Sequence, residues 1–125
     1  MSKELNKILD ILKKKDLNSA KELCHQAKNL EDNFHFQNTF GYLLYEFGEI
    51  NEAIKKWELT AKMSPKYFYA YNNLGNAFEK IGEFNKAVQN FNKAIKIKPD
   101  YFEAYYGLGN VQFKMFKLED ALSNL

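Results

Sequence analysis

At 125 residues the chain is long enough to bury one sizeable core but leaves little room for two. A hydrophobic share of 46%, 27% charged residues and a net charge of +2 describe a chain that folds and exclude disorder driven by charge repulsion. All eighteen basic residues are lysine, and without arginine, the side chain suited to bidentate phosphate and guanine contacts, nucleic acid is not an expected partner.

The amino-terminal stretch MSKELNKILDILKKK has no long apolar segment, and no apolar run in the chain reaches the roughly 18 residues a spanning helix requires, so no membrane contact is expected. A weak structural unit then appears: DLNSAKELCHQAKNL (Asp16–Leu30) matches EFNKAVQNFNKAIKI (Glu83–Ile97) through Ala20, Cys24 and Ala27, in a register one residue shorter. The next copy centres on Gly41, flanked by Phe40 and followed by Leu44, Gly48, Ala53, Trp57 and Pro65.

The clearest copy is YNNLGNAFEKIGEFNKAVQNFNKAIKIKP, residues 71–99. Tyr71, Leu74, Phe78 and Ile81, then Phe84, Ala87, Val88, Phe91, Ala94 and Ile95, recur at helical spacing and predict two amphipathic helices. Gly82 lies between them, where a left-handed residue ends the first helix at little cost, and Pro99 lies just past the second. The phrase restarts 34 residues on, with Tyr105, Leu108, Gly109, Ala121 and Leu125 aligned with Tyr71, Leu74, Gly75, Ala87 and Phe91. Glycine or alanine at positions 75, 87 and 94 leaves room for close helix crossings that bulky neighbours surround. One such hairpin cannot bury both its faces, whereas hairpins stacked in series bury one another.

This pattern of small and bulky residues in a 34-residue helix–turn–helix resembles the tetratricopeptide repeat family. The resemblance covers essentially the whole chain, as an imperfect repeat at about 1–32, full repeats at about 33–66 and 67–100, and a partial one at about 101–125. It implies an all-α, right-handed superhelical solenoid forming a single domain. Four positions depart from the family pattern: Gln37 stands where a bulky aromatic is usual, Thr60 for alanine, Asp32 for the closing proline, and Phe116 at the turn usually given to glycine.

No convergent catalytic set is found. Cys24 and His25 are neighbours on a helix and point about 100° apart, and Cys24 takes the place of Phe91 in the packed seam. One cysteine excludes an intrachain disulfide and, with only His25 and His35 near it, supplies no zinc quartet. The expectation is a cytoplasmic protein that is no enzyme and uses no metal or cofactor.

In the family, the first helix of each repeat usually lines a concave groove, with ligand contacts off the signature positions. Carried onto this chain, that rule gives His35, Asn38, Thr39, Tyr42 and Tyr45, then Tyr69, Asn72, Asn73, Asn76 and Glu79, then Glu103, Tyr106, Gly107, Asn110 and Phe113, of which Asn38, Tyr42, Tyr69, Asn72, Asn73, Asn76, Tyr106 and Asn110 are the expected contact strip. An asparagine amide both donates and accepts, so it can hold an extended peptide backbone whatever the side chains, and tyrosine adds flat apolar area with a polar tip. Some peptide-binding arrays of the family, that of the O-GlcNAc transferase among them, carry an asparagine ladder; Asn73 matches a rung, while Thr39 and Gly107 interrupt it. Consensus or codon bias accounts for the same asparagines equally well. The lysine and asparagine clamp that grips acidic chaperone tails is not matched, because Leu5 and Leu9, or Asn38 and Tyr42, stand in its place.

The expectation is a non-enzymatic module that binds a protein or peptide partner. A self-assembly scaffold and a targeting domain of a longer enzyme such as a glycosyltransferase are the alternatives. The last helix is expected to be cut short, leaving Leu118, Leu122 and the receiving face of the final hairpin poorly covered. That points to a fragment of a longer array and to weak self-association through this end.

Overall fold

The structure, a computed structural model, describes residues 2–124. Every regular element among them is helical: α1 (Lys3–Lys13), α2 (Leu17–Gln26), a 3-10 turn (Lys28–Leu30), α3 (Phe34–Glu46), α4 (Ile50–Met63), α5 (Phe68–Lys80), α6 (Phe84–Ile97) and α7 (Phe102–Ser123). The chain divides into two compact units, residues 1–64 with α1 to α4 and residues 65–125 with α5 to α7.

In the first unit each helix packs on the next, α1 on α2, α2 on α3 and α3 on α4. Side chains cap the first three helices: Ser2 Oγ accepts from the Leu5 N–H at 3.1 Å, Asp16 Oδ1 from Ser19 at 3.2 Å and Asn33 Oδ1 from Phe36 at 3.0 Å. Leu5, Ile8, Ala20, Cys24, Phe36, Leu43, Ala53 and Trp57 are buried together in this unit. Trp57 lies flat against Gly41, where an added Cβ would sit 2.6 Å from its indole nitrogen, and its N–H donates to the Asn38 carbonyl at 3.1 Å. Thr60 is fully buried, and its hydroxyl is satisfied by donating to the Lys56 carbonyl at 2.8 Å. Ala27, aligned with Ala94 in the sequence, is instead the C-cap of the shorter α2.

The second unit packs α5 on α6, α6 on α7, and α5 on α7, so that the first helix of one repeat lies beside the first helix of the next. Phe91, fully buried on α6, repeats the Trp57 contact one period later. A Cβ at Gly75 would come within 2.6 Å of its ring.

The turns inside the hairpins share one hydrogen-bond scheme. Glu49 N–H donates to Leu44 O at 2.9 Å, Glu83 to Phe78 at 2.8 Å and Asp16 to Ile11 at 3.3 Å, each across a left-handed residue. Gly48 and Gly82 adopt it at φ 81° and 82°; in the first hairpin Lys15 does so at φ 60°, without glycine's freedom.

A fourth such turn, expected at Phe116, does not form. α7 runs unbroken for 22 residues, so the partial repeat contains one helix and no final hairpin. Phe116 cannot take a left-handed conformation cheaply. The apolar groups that a return helix could bury, Leu118, Ala121 and Leu122, offer too little area to offset that cost and a new helix nucleus. Ala121, aligned with the fully buried Ala87, is therefore exposed, as are Leu118 and Leu122. Gly109, aligned with Gly75, has open space where a side chain would go. The alignment of Leu125 with Phe91 lies outside the described residues.

Candidate functional site

α5 presents Asn72, Asn76 and Glu79 at intervals of four and three residues, one stripe along the helix. α7 can lie close alongside because its packed face is small: Ala104 and Gly107 are buried with Val111, and a Cβ at Gly107 would sit 2.4 Å from Cζ of Phe91. The opposed faces leave a groove of about 420 Å³ lined by Asn72, Asn76 and Glu79 of α5 and by Phe102, Glu103, Tyr106, Gly107 and Asn110 of α7.

Its polar floor is incompletely satisfied. Asn72 is 7% exposed, and its Oδ1 is buried with no hydrogen-bond donor among the described residues. Leaving an acceptor unmet costs about 1–3 kcal/mol, which a ligand's donor would recover. Glu79 is ion-paired with Lys114, Nζ to Oε2 at 2.8 Å, and is mostly covered. Glu103 stands exposed on the α7 wall beside two open rings, Phe102 at 80% and Tyr106 at 75% exposure. Among the described residues no lysine lines the groove.

Of the residues expected in a contact strip, Asn72, Asn76, Tyr106 and Asn110 line this one groove. Asn73 is half-buried on α5 and is not part of the lining. Tyr69 belongs to an aromatic cluster, with its ring 4.3 Å from Phe68 and perpendicular to Tyr101 at 5.7 Å. Burial, then the charge of the Glu103 carboxylate and of the neighbouring Tyr69 and Tyr67 phenol groups, push the Tyr101 phenol up to about 12, so it stays neutral. Asn38 and Tyr42 lie on α3 in the first unit, Asn38 lending its carbonyl to Trp57 and Tyr42 half exposed.

Sequence reasoning missed Phe102, which begins α7 and shows no periodic signal of its own. It also took Gly107 as an interruption of the asparagine ladder, although the spacing Ala104, Gly107, Val111 marks a narrow packing seam.

A second cavity, about 330 Å³, lies in the first unit and is lined among others by Cys24, Gln37, Glu49 and Lys56. Gln37, out of pattern for the family, fills its position by donating from Nε2 to the Glu31 carbonyl at 2.9 Å. Burial raises the Cys24 thiol to about 12, with only partial relief from Lys56, so it is protonated and a poor nucleophile. Among the described residues no group of three or more His, Cys, Asp or Glu could hold a metal, and no helix is long and apolar enough to cross a membrane.

The same helical arrangement recurs in solved structures. The Sgt2 TPR domain from Aspergillus fumigatus superposes with a TM-score of 0.85 at 20% identity, covering 94% of this chain and 80% of that one. The first TPR of Spaghetti (RPAP3), bound to the HSP90 peptide SRMEEVD, gives 0.82 at 15% identity and 88% of both chains. A Thermobaculum terrenum O-GlcNAc transferase mutant gives 0.77 at 19% identity, with 89% of this chain matched to 23% of that one. At these identities the likeness is one of fold, the all-α TPR solenoid. No curated protein matches the sequence. The family model for the TPR repeat matches residues 41–82 and 80–115, more than half of the chain. With its interlocked helical hairpins, this chain belongs to the tetratricopeptide repeat (TPR) family.

Proposed function

We propose that the chain is a non-enzymatic interaction module that holds an extended segment of a protein partner in the groove between α5 and α7. The observation that carries this reading is the groove itself, whose lining sets the amides of Asn72, Asn76 and Asn110 beside the open ring of Tyr106. Asn76 and Asn110 add amides that bond a peptide backbone in either direction, and Tyr106 adds apolar area. The peptide held by the related Spaghetti (RPAP3) domain supports the same use of this fold.

The test is selection from a displayed library of random peptides of about eight residues, which at about 3.3 Å per residue can cross both helices. Asn110→Trp fills the groove from an exposed position and serves as the control. Peptides enriched on the wild-type protein and lost on Asn110→Trp are the expected result. Equal enrichment on both proteins would place binding elsewhere and overturn the proposal.

A second reading, association of the chain with itself, is favoured by the exposed Phe113, Phe116, Leu118 and Leu122 along the outer half of α7. Sedimentation across a concentration series reads it directly, and Phe116→Glu with Leu122→Glu should abolish any concentration-dependent mass.

A further inference from the structure

We infer that the α5–α7 groove selects a basic segment, with arginine as the side chain that fits it best, and rejects the acidic tails that related domains take. This rests on the peptide-holding reading and adds the chemistry of the occupant.

The charged side chains among the described lining residues are both carboxylates: Glu79 on α5 and Glu103 on α7. Lys114 pairs with Glu79, and among the described residues no ion pair compensates the charge of Glu103. A cationic ligand therefore complements the charge of the lining, whereas a carboxylate meets like charge.

The rings decide between the two basic side chains. Phe102 and Tyr106 are one helical turn apart on the same face as Glu103, each with most of its surface open. A guanidinium stacks its flat face on such a ring while its edge N–H groups reach a carboxylate; an ammonium is more strongly hydrated and has no flat face to offer. Acidic chaperone tails such as the SRMEEVD peptide of the related complex demand cationic partners. Among the described residues no cation lines this groove, and Lys114 at its edge is paired with Glu79.

The experiment measures fluorescence anisotropy of three labelled, end-capped peptides of one length, in which alternate positions are all arginine, all lysine or all glutamate and the rest glycine and serine. Binding to the wild-type chain should follow arginine, then lysine, with the glutamate peptide weaker than the arginine peptide by about tenfold or more. The gap should narrow as salt rises from about 20 to about 150 mM. Glu103→Lys should erase the preference or reverse it, and Asn110→Trp should abolish arginine-peptide binding. Glutamate binding as tight as arginine, or an arginine preference untouched by Glu103→Lys, overturns the charge inference. The library selection then separates the two claims: groove-dependent peptides that are uncharged or acidic leave the groove reading standing without this one, and the absence of any groove-dependent peptide removes both.

Discussion

Gly107 on α7 approaches Phe91 on α6 so closely that a Cβ at 107 would lie 2.4 Å from the ring, while Gly109, two residues on, faces open space. Phe91 is fully buried and already clasped by Gly75 from α5, so its ring has nowhere to retreat. Gly107→Ala is expected to cost about 1–3 kcal/mol through overpacking. Gly109→Ala should be neutral or raise stability by up to about 1 kcal/mol, because alanine is the better helix former. Urea denaturation of the two variants checks the contrast; equal stabilities would contradict the seam.

The continuity of α7 through Phe116 gives a second expectation. Phe116→Gly introduces a residue able to take a positive φ and lowers helix propensity by about 0.5 kcal/mol. Carbon-13 secondary shifts of residues 112–122 should then show a break in helicity at 116, and unbroken helical shifts would assign the straightness to other causes. In the first hairpin, Lys15 holds the left-handed turn at φ 60°. Lys15→Gly should raise the melting midpoint, by about 1 kcal/mol of relieved strain.

Asn72 is where stability and binding part company. Asn72→Leu keeps the branching of the side chain and removes a buried acceptor that has no donor among the described residues, so folding should be unchanged or improved by about 1 kcal/mol. Peptides selected on the wild-type groove should bind the variant more weakly. Loss of folding together with binding would mean that Asn72 serves the core alone.

The thiol of Cys24 provides a pH-dependent check. Its folded-state value, raised from 9.0 to about 12 by burial, means that folded and unfolded states are both protonated below pH 9. Between 9 and 12 the unfolded thiol ionises while the folded one does not, so stability falls as pH rises through that window. At neutral pH, labelling by a disulfide reagent should proceed only as fast as the first unit opens. Rapid labelling of the folded protein would show the thiol to be accessible.

The hairpins were legible because each is written twice over in local terms, as apolar spacing and as a turn residue. Gly41 with Trp57 and Gly75 with Phe91 announce the close crossings by size alone. α7 was misread because alignment carries over a residue's position without its energetics. Ala121 matches Ala87 by register, but nothing in register says that Phe116 will refuse the turn on which that match depends. Asn72, Asn76, Tyr106 and Asn110 could be named from helix phase. That Asn72 would be buried and short of a donor depends on how near α7 comes, and Gly107, through its contact with a ring on another helix, sets that approach.

The seat of Trp57 against Gly41 also makes it an optical label. It is the only tryptophan, and it lies in the unit spanning residues 1–64. Tyr67, Tyr69, Tyr71, Tyr101, Tyr105 and Tyr106 all lie in the other unit. Light absorbed at the red edge of the indole band therefore interrogates α1 to α4 alone, and rupture of the bond from its N–H to Asn38 exposes the chromophore to water. Tyr42 and Tyr45 share the first unit with Trp57, so tyrosine absorbance is weighted toward the second unit by six of the eight rings, and the interval between its midpoint and that of indole emission measures how cooperatively the two halves unfold.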